Sequence, residues 1–338
     1  MGKQRIVIIC PGRGSYTRET SNYFSNENQE SISFINWIDD QRRLSGNLTI
    51  KDLDSKPFKM KTHMSGENAS SLIYGCSVKD FMSIDKNSYE VVAITGNSMG
   101  WYTALALGGA VSLKNGYELI QSMGSMMQDD IIGGQIIYPI IDEEWRIDNK
   151  MKEKVFSEIQ RMRSYISIFL GGYILIGGKQ VSLNKLLIQL PKIENYPLQL
   201  PFHAAFHTPL LEPIANKAKK IIHKSIFSKP LIPLIDGFGN LWSPFSTDIS
   251  ELYQYTLNDQ ITCPYNFSKA ISVAVKEFCP DKLVLLGPGN TLGGPVGQIL
   301  VQNQWKSIDS KSSFIKTQKN KPYLISMGID EQRKMVSK

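Results

Sequence analysis

Cysteine and histidine are both scarce in this chain: four of each among 338 residues. Cys10, Cys76, Cys263 and Cys279 form no CxxC pair and no metal-like spacing with histidine. That excludes a disulfide-stapled miniature and a zinc ribbon, and free thiols fit a reducing cytoplasm. Long apolar runs are also missing. The longest, residues 165–178, is broken by glycines and is too short to cross a bilayer. The apolar run at residues 6–10 is far below the h-region of a signal peptide. No internal repeat and no low-complexity segment occurs. With 42% hydrophobic and 20% charged residues, the chain has the composition of a folded, non-membrane protein of one large or two ordinary domains.

What is present is an excess of positive charge, +7 from 38 basic and 31 acidic residues. Five of those seven net charges fall between Lys306 and Lys338, a tail with no link to any motif that reads as a solubilising extension. A second basic cluster, Lys217, Lys219, Lys220, Lys224 and Lys229, lies in an amphipathic segment. It is either a solvated helix face or a docking surface for an acidic partner.

Three apolar runs end in glycine loops. Residues 6–10 lead into Pro11-Gly12-Arg13-Gly14-Ser15, residues 89–95 into Gly96-Asn97-Ser98-Met99-Gly100, and residues 282–286 into Gly287-Pro288-Gly289-Asn290. Continuous β-branched runs predict strands buried on both faces of a parallel sheet. Ligands of open α/β sheets bind outside the carboxyl edge, where all three loops would lie. Helices are expected over residues 101–109, 114–129, 211–228, 250–257 and 265–277. Between residues 131 and 200 the pattern changes to strand 135–141, helix 148–163, strand 164–170, strand 173–177 and helix 182–190. Gly171-Gly172 marks a hairpin there.

Gly96-Asn97-Ser98-Met99-Gly100 matches G-x-S-x-G between a strand and a helix. Alone, in a chain with 26 glycines, this is equally a small-residue turn. The preceding strand and the Ala-rich helix after it favour a nucleophile elbow that exposes the Ser98 hydroxyl. The Met99 N–H would then face a developing oxyanion. A serine nucleophile needs a base. His63 and His223 have unremarkable surroundings, and pattern alone does not choose between His203 and His207.

Together these segments resemble the malonyl-CoA:acyl-carrier-protein transacylase family and the acyltransferase domains of polyketide synthases. The residues at 11–15 resemble PGQGS, and those at 96–105 resemble GHSLGEYTAL. Ala205-Phe206-His207-Thr208-Pro209-Leu210-Leu211-Glu212-Pro213 resembles AFHSPLMEP, and Gly287-Pro288-Gly289-Asn290-Thr291-Leu292 resembles GPGKVL. The resemblance implies an α/β fold: an α/β-hydrolase-like large domain (1–130 and 201–338) interrupted by a ferredoxin-like small subdomain (131–200). It implies that Ser98 attacks an acyl-CoA thioester with His207 as base, the N–H groups of Arg13 and Met99 forming the oxyanion hole. Asp259-Gln260-Ile261-Thr262-Cys263-Pro264 resembles QLxNP, so Gln260 would orient the histidine through its carbonyl. The acceptor would be the phosphopantetheine thiol of an acidic acyl carrier protein. No bound cofactor or metal is implied, nor a nucleic acid or membrane partner.

The chain departs from the family pattern at four positions. Met123 stands where the family carries a carboxylate-binding arginine, so an uncharged acyl group is expected. Asn97 replaces a histidine, and Trp101 replaces a glutamate and is expected to narrow the substrate pocket. Arg13 replaces a glutamine; its side chain either points outward or restores the missing positive charge. Phe206, in a sequence similar to the HAFH variant, favours a small unbranched acyl group. Alternatives are an acyl-carrier-protein thioester hydrolase on the same site, a nucleotide-binding module at Gly287-Pro288-Gly289, which lacks G-x-G-x-x-G, and a non-catalytic scaffold.

Overall fold

The apolar run at residues 6–10 lies inside a six-stranded sheet in a computed structural model of the chain, which describes residues 2–25, 29–126 and 131–338. Strand Gln4–Cys10 pairs in parallel with Lys282–Leu285 on one side and Tyr89–Gly96 on the other, so Ile8 lies between Val284 and Ile94. Ile6 to Cys10 are wholly buried. Both faces of the strand are covered, which is why the run is continuous rather than alternating. The order across the sheet is Leu324–Ser326, Lys282–Leu285, Gln4–Cys10, Tyr89–Gly96, Leu234–Ile235 and Leu241–Trp242, and only the last pair is antiparallel. The three glycine loops therefore meet at one edge.

A second, five-stranded sheet is formed by Leu198–Gln199, Gly134–Pro139, Tyr173–Gly178, Tyr165–Leu170 and Tyr265–Asn266, in that order. Its first four strands are antiparallel and alternate with helices Asn149–Arg161 and Gln180–Gln189 in a strand–helix–strand–strand–helix–strand unit. This unit has its own core, including Ile136, Tyr138, Val155, Ile176 and Leu186. The hairpin turns at Gly171, whose φ of +63° suits a residue without Cβ. The fifth strand comes from the other part of the chain and pairs in parallel with Tyr165–Leu170.

Several sequence expectations need correction. The expected helix 211–228 is a short 3-10 turn followed by α-helix Glu212–Ile221. A second short 3-10 turn, Lys224–Ile226, follows, and Phe227 is buried edge-on against Tyr253. Helix 250–257 is Ile249–Gln254 followed by a wide π-type turn, Tyr255–Asp259, that delivers Gln260. Helix 265–277 starts at Phe267, because Tyr265 and Asn266 are claimed by the small sheet; the Asn266 side chain caps the helix by accepting from the Lys269 N–H. The helix expected over 114–129 is observed as Leu113–Ser125, and residues 127–129 lie outside the described part.

The tail is not a solubilising extension. It forms helix Lys311–Asn320 and the edge strand Leu324–Ser326. Arg333 Nε lies 3.5 Å from Asp80, a carboxylate buried beneath it, and Val336 is 1% exposed. Apart from Arg333, the basic residues of the tail sit on the outside of ordered elements.

Candidate active site

The Tyr89–Gly96 strand turns sharply into helix Gly100–Leu107, and Ser98 sits at the turn with a φ of +54°. A Cβ at Gly96 would lie 2.3 Å from the Gly100 carbonyl, and one at Gly100 would lie 2.2 Å from the Cys10 carbonyl. Both glycines are thus required by backbone crossing, and the strained serine between them is held from outside. The Ser98 carbonyl accepts from the Trp101 N–H and from Gln260 Nε2, both at 3.0 Å. Ser98 itself stays accessible from a cavity of about 590 Å³.

His207 meets it from the loop before the 3-10 turn Pro209–Leu211. Its Nε2 is 2.7 Å from Ser98 Oγ, and its Nδ1 is 2.5 Å from the Gln260 carbonyl. A carbonyl only accepts, so Nδ1 carries the proton and Nε2 turns its lone pair to the serine. Burial pushes the His207 pKa down to about 4, against the opposing pull of the Gln260 carbonyl. The imidazole is therefore neutral and basic at neutral pH. Gln260 acts twice, since its side-chain Oε1 also accepts from the Tyr102 hydroxyl at 2.8 Å. Among the described residues, neither the Met99 nor the Arg13 backbone N–H donates to a protein acceptor, which leaves both available to an oxyanion.

No family model matches the chain. It is 24% identical over 207 residues to the malonyl CoA-acyl carrier protein transacylase of Bacillus subtilis, covering 60% of this chain and 63% of that protein. It is 22% identical over 207 residues to the polyketide biosynthesis acyltransferase homolog PksD of the same organism, covering 61% of this chain and 60% of that protein. The matched stretch thus spans a little under two thirds of each of these relatives. The acyl-carrier-protein S-malonyltransferase of Bartonella henselae superposes with a TM-score of 0.74 at 19% identity, over 98% of this chain and 97% of that one. The acyltransferase domain from the second module of the salinomycin polyketide synthase gives 0.71 at 14% identity, over 98% and 70%. The chain is thus similar in sequence to malonyl CoA-acyl carrier protein transacylases over about 60% of its length, and it shares their fold.

Asn97, Met123 and Phe206 line the cavity together with Ser98 and His207. The Asn97 side chain is buried, and its Oδ1 has no protein partner. Met123 brings no charge to the wall. Trp101 does not narrow the pocket. It is fully buried outside the cavity lining, its Nε1 donates to Thr256 Oγ1 at 3.1 Å, and its ring stands edge-on to Tyr255. An indole with its N–H satisfied in the core has no reason to turn toward substrate.

Arg13 does not point outward. Its Nη2 donates to the Met64 and Phe202 carbonyls, each at 3.0 Å, and its guanidinium lies 5.3 Å from the centre of the Phe206 ring. Burial pulls its pKa down to about 10. His203, the other candidate base, is tied elsewhere: Nδ1 lies 2.8 Å from Gln135 Oε1, in a chain running through Ser167 to the Phe206 carbonyl. Ser167 donates to that carbonyl and so accepts from Gln135 Nε2. The Gln135 oxygen is then the acceptor, and His203 Nδ1 is the donor. Gln135, Ser167 and the clamping Tyr102 were not singled out from sequence, since an isolated Gln, Ser or Tyr carries no pattern. His63 is buried in backbone contacts and His223 is exposed on the surface. No group of residues suited to a metal ion occurs among the described residues.

Proposed function

We propose that the chain is an acyltransferase that moves an acyl group from coenzyme A to the phosphopantetheine thiol of an acyl carrier protein, in fatty acid or polyketide biosynthesis. The observation that carries this reading is the 2.7 Å contact between Ser98 Oγ and the unprotonated Nε2 of a neutral, oriented His207. Ser98 Oγ attacks the thioester carbonyl carbon while His207 takes its proton. The oxyanion is met by the N–H groups of Met99 and Arg13, with the amino end of helix Gly100–Leu107 behind it. Collapse breaks the carbon–sulfur bond, and His207 returns the proton to the departing thiolate. The carrier thiol then gives its proton to His207, attacks the acyl-serine and releases Ser98. These steps draw on the Ser98 and His207 side chains, two backbone N–H groups, the acyl-CoA thioester and the carrier thiol.

The acyl group of this reading is small, unbranched and uncharged. Met123 offers a carboxylate no hydrogen bond, and Arg13 Nη2 is already committed to two backbone carbonyls. A carboxylate left unpaired against Met123 costs about 1–3 kcal/mol or more. Exposed Lys217 and Lys220 lie on helix Glu212–Ile221, whose Ile214 lines the cavity, so an acidic carrier protein meets positive charge there. Four unpaired cysteines suit a cytoplasmic setting.

The test is intact mass after mixing the protein with acetyl-CoA and with malonyl-CoA. Acetyl addition that disappears in Ser98→Ala, followed by transfer to a carrier protein, is expected. No acylation by any acyl-CoA rejects the reading. Rapid malonylation without acetylation rejects the uncharged acyl class.

A further inference from the structure

Arg13 spends a charged, partly buried side chain on two backbone carbonyls that are distant in sequence. Met64 follows the short helix Met60–His63, and Phe202 lies on the chain leaving the small subdomain. No acidic side chain pairs with this guanidinium among the described residues, and its Nε is buried without a partner. The bond to Phe202 holds a strained residue. Phe202 has a φ of +59°, a left-handed conformation that is costly for a bulky side chain, and the residue is 37% exposed. Outside Phe202 lies a surface pocket lined by Ile131, Gly133, Gln199 and Phe202. That pocket and the Ser98 cavity share Leu200, Pro201 and His203 as lining residues. The wall between the acyl-serine and this surface pocket is therefore a single loop, pinned at Phe202 by Arg13 and at His203 by Gln135.

We propose that the Arg13 side chain is a strap that keeps this wall closed and thereby makes a thiol, rather than water, the acceptor of the acyl group. The inference rests on the acyltransferase reading. In hydrolysis a water oxygen adds to the acyl-Ser98 carbonyl, the ester carbon–oxygen bond breaks, a carboxylic acid leaves, and Ser98 regains its proton through His207. In transfer the carrier sulfur adds instead and a thioester leaves. The same base serves both, so the outcome is set by which nucleophile reaches the carbonyl. Arg13 acts here through the loop it holds and is a positioning residue.

The experiment isolates acetyl-enzyme made from acetyl-CoA and follows loss of the acetyl mass in buffer without carrier protein. It compares the natural chain with Arg13→Gln and Arg13→Lys, and repeats the measurement on malonyl-enzyme wherever that forms. Hydrolysis about tenfold faster is expected in Arg13→Gln, the scale of one charge-assisted hydrogen bond, with Arg13→Lys between because an ammonium lacks the planar fork. Phe202→Pro supplies a second arm that leaves Arg13 intact. Proline forces φ near −65° on an exposed residue and pulls the carbonyl off the guanidinium, so the same acceleration is expected. Unchanged hydrolysis in Arg13→Gln and Phe202→Pro overturns the strap while leaving the acyltransferase reading standing. A fall confined to malonyl acylation overturns it too, by making Arg13 a carboxylate ligand. Failure of the natural chain to form any acyl-enzyme removes both.

Discussion

Gln260 holds Ser98 and His207 at once: its carbonyl lies 2.5 Å from His207 Nδ1, and its side-chain Nε2 donates to the Ser98 carbonyl at 3.0 Å. The Ser98 turn and the His207 ring are thus set by one residue delivered by the π-type turn Tyr255–Asp259. Gln260→Ala keeps the backbone link to His207 but strands the Tyr102 hydroxyl and removes one support of the strained serine. Two buried partners lost at about 1 kcal/mol each predict acylation slowed by about tenfold or more, with some loss of stability. Stopped-flow acylation beside thermal melting separates the two effects; an unchanged acylation rate would show that the elbow holds itself.

On the proposed mechanism, the lowered pKa of His207, about 4, sets the acid side of the pH profile. The base stays unprotonated well below the ordinary histidine range, so the acylation rate is expected to hold between pH 7 and about pH 5. The stability sign follows from the same shift. Because the folded pKa lies below the unfolded one, the neutral-histidine contribution is complete above the unfolded value of 6.5 and is lost as pH falls through about 4. His203, pushed down to about 3 by burial and by the Arg13 and His207 charges, adds in the same direction. An inflection in acylation rate near pH 6.5 would contradict the burial argument.

The parallel strands and the elbow were legible because each is a local pattern: a continuous apolar run, then glycines at which an added Cβ would have no room. Helix Gly66–Ser83 was not. Residues 69–80 are all buried, so it carries no apolar stripe against a polar one, and a helix apolar or small all round shows no period. The strand pair Leu234–Ile235 and Leu241–Trp242 was missed because two-residue strands carry no period either. At the site, Ser98 and His207 were reachable through motifs. The direction of the Arg13 and Trp101 side chains was not, because direction is decided by tertiary partners: the Met64 and Phe202 carbonyls for one, and Thr256 and Tyr255 for the other.

Trp101 offers a direct check of that correction. Trp101→Phe keeps an aromatic ring against Tyr255, removes the N–H bond to Thr256 and leaves a small cavity where the larger indole packed. A stability loss of about 1–3 kcal/mol is expected, with the ratio of acyl-CoA preferences unchanged. A shifted acyl preference, measured as relative kcat/KM across a short acyl-CoA series, would return Trp101 to the pocket wall.

Met123 is the position at which acyl charge is decided in this reading. It lies in the last turn of helix Leu113–Ser125, on the cavity wall. The adjoining Gly124 approaches Gly66 so closely that an added Cβ would lie 2.5 Å from the Gly66 carbonyl. That contact fixes the rotation of the helix and keeps residue 123 facing the cavity. Met123→Arg introduces a planar, bidentate partner for a carboxylate where only thioether and methylene now pack. A carboxylate gaining such a pair is worth about 1.5–3 kcal/mol, which predicts a rise of about tenfold or more in malonyl-CoA use relative to acetyl-CoA. The gain should appear in the acylation step, since Met123 takes no part in the Arg13 bonds to Met64 and Phe202. If the ratio of malonyl to acetyl acylation does not move, the missing arginine is not what sets the acyl group, and the uncharged preference loses its physical basis.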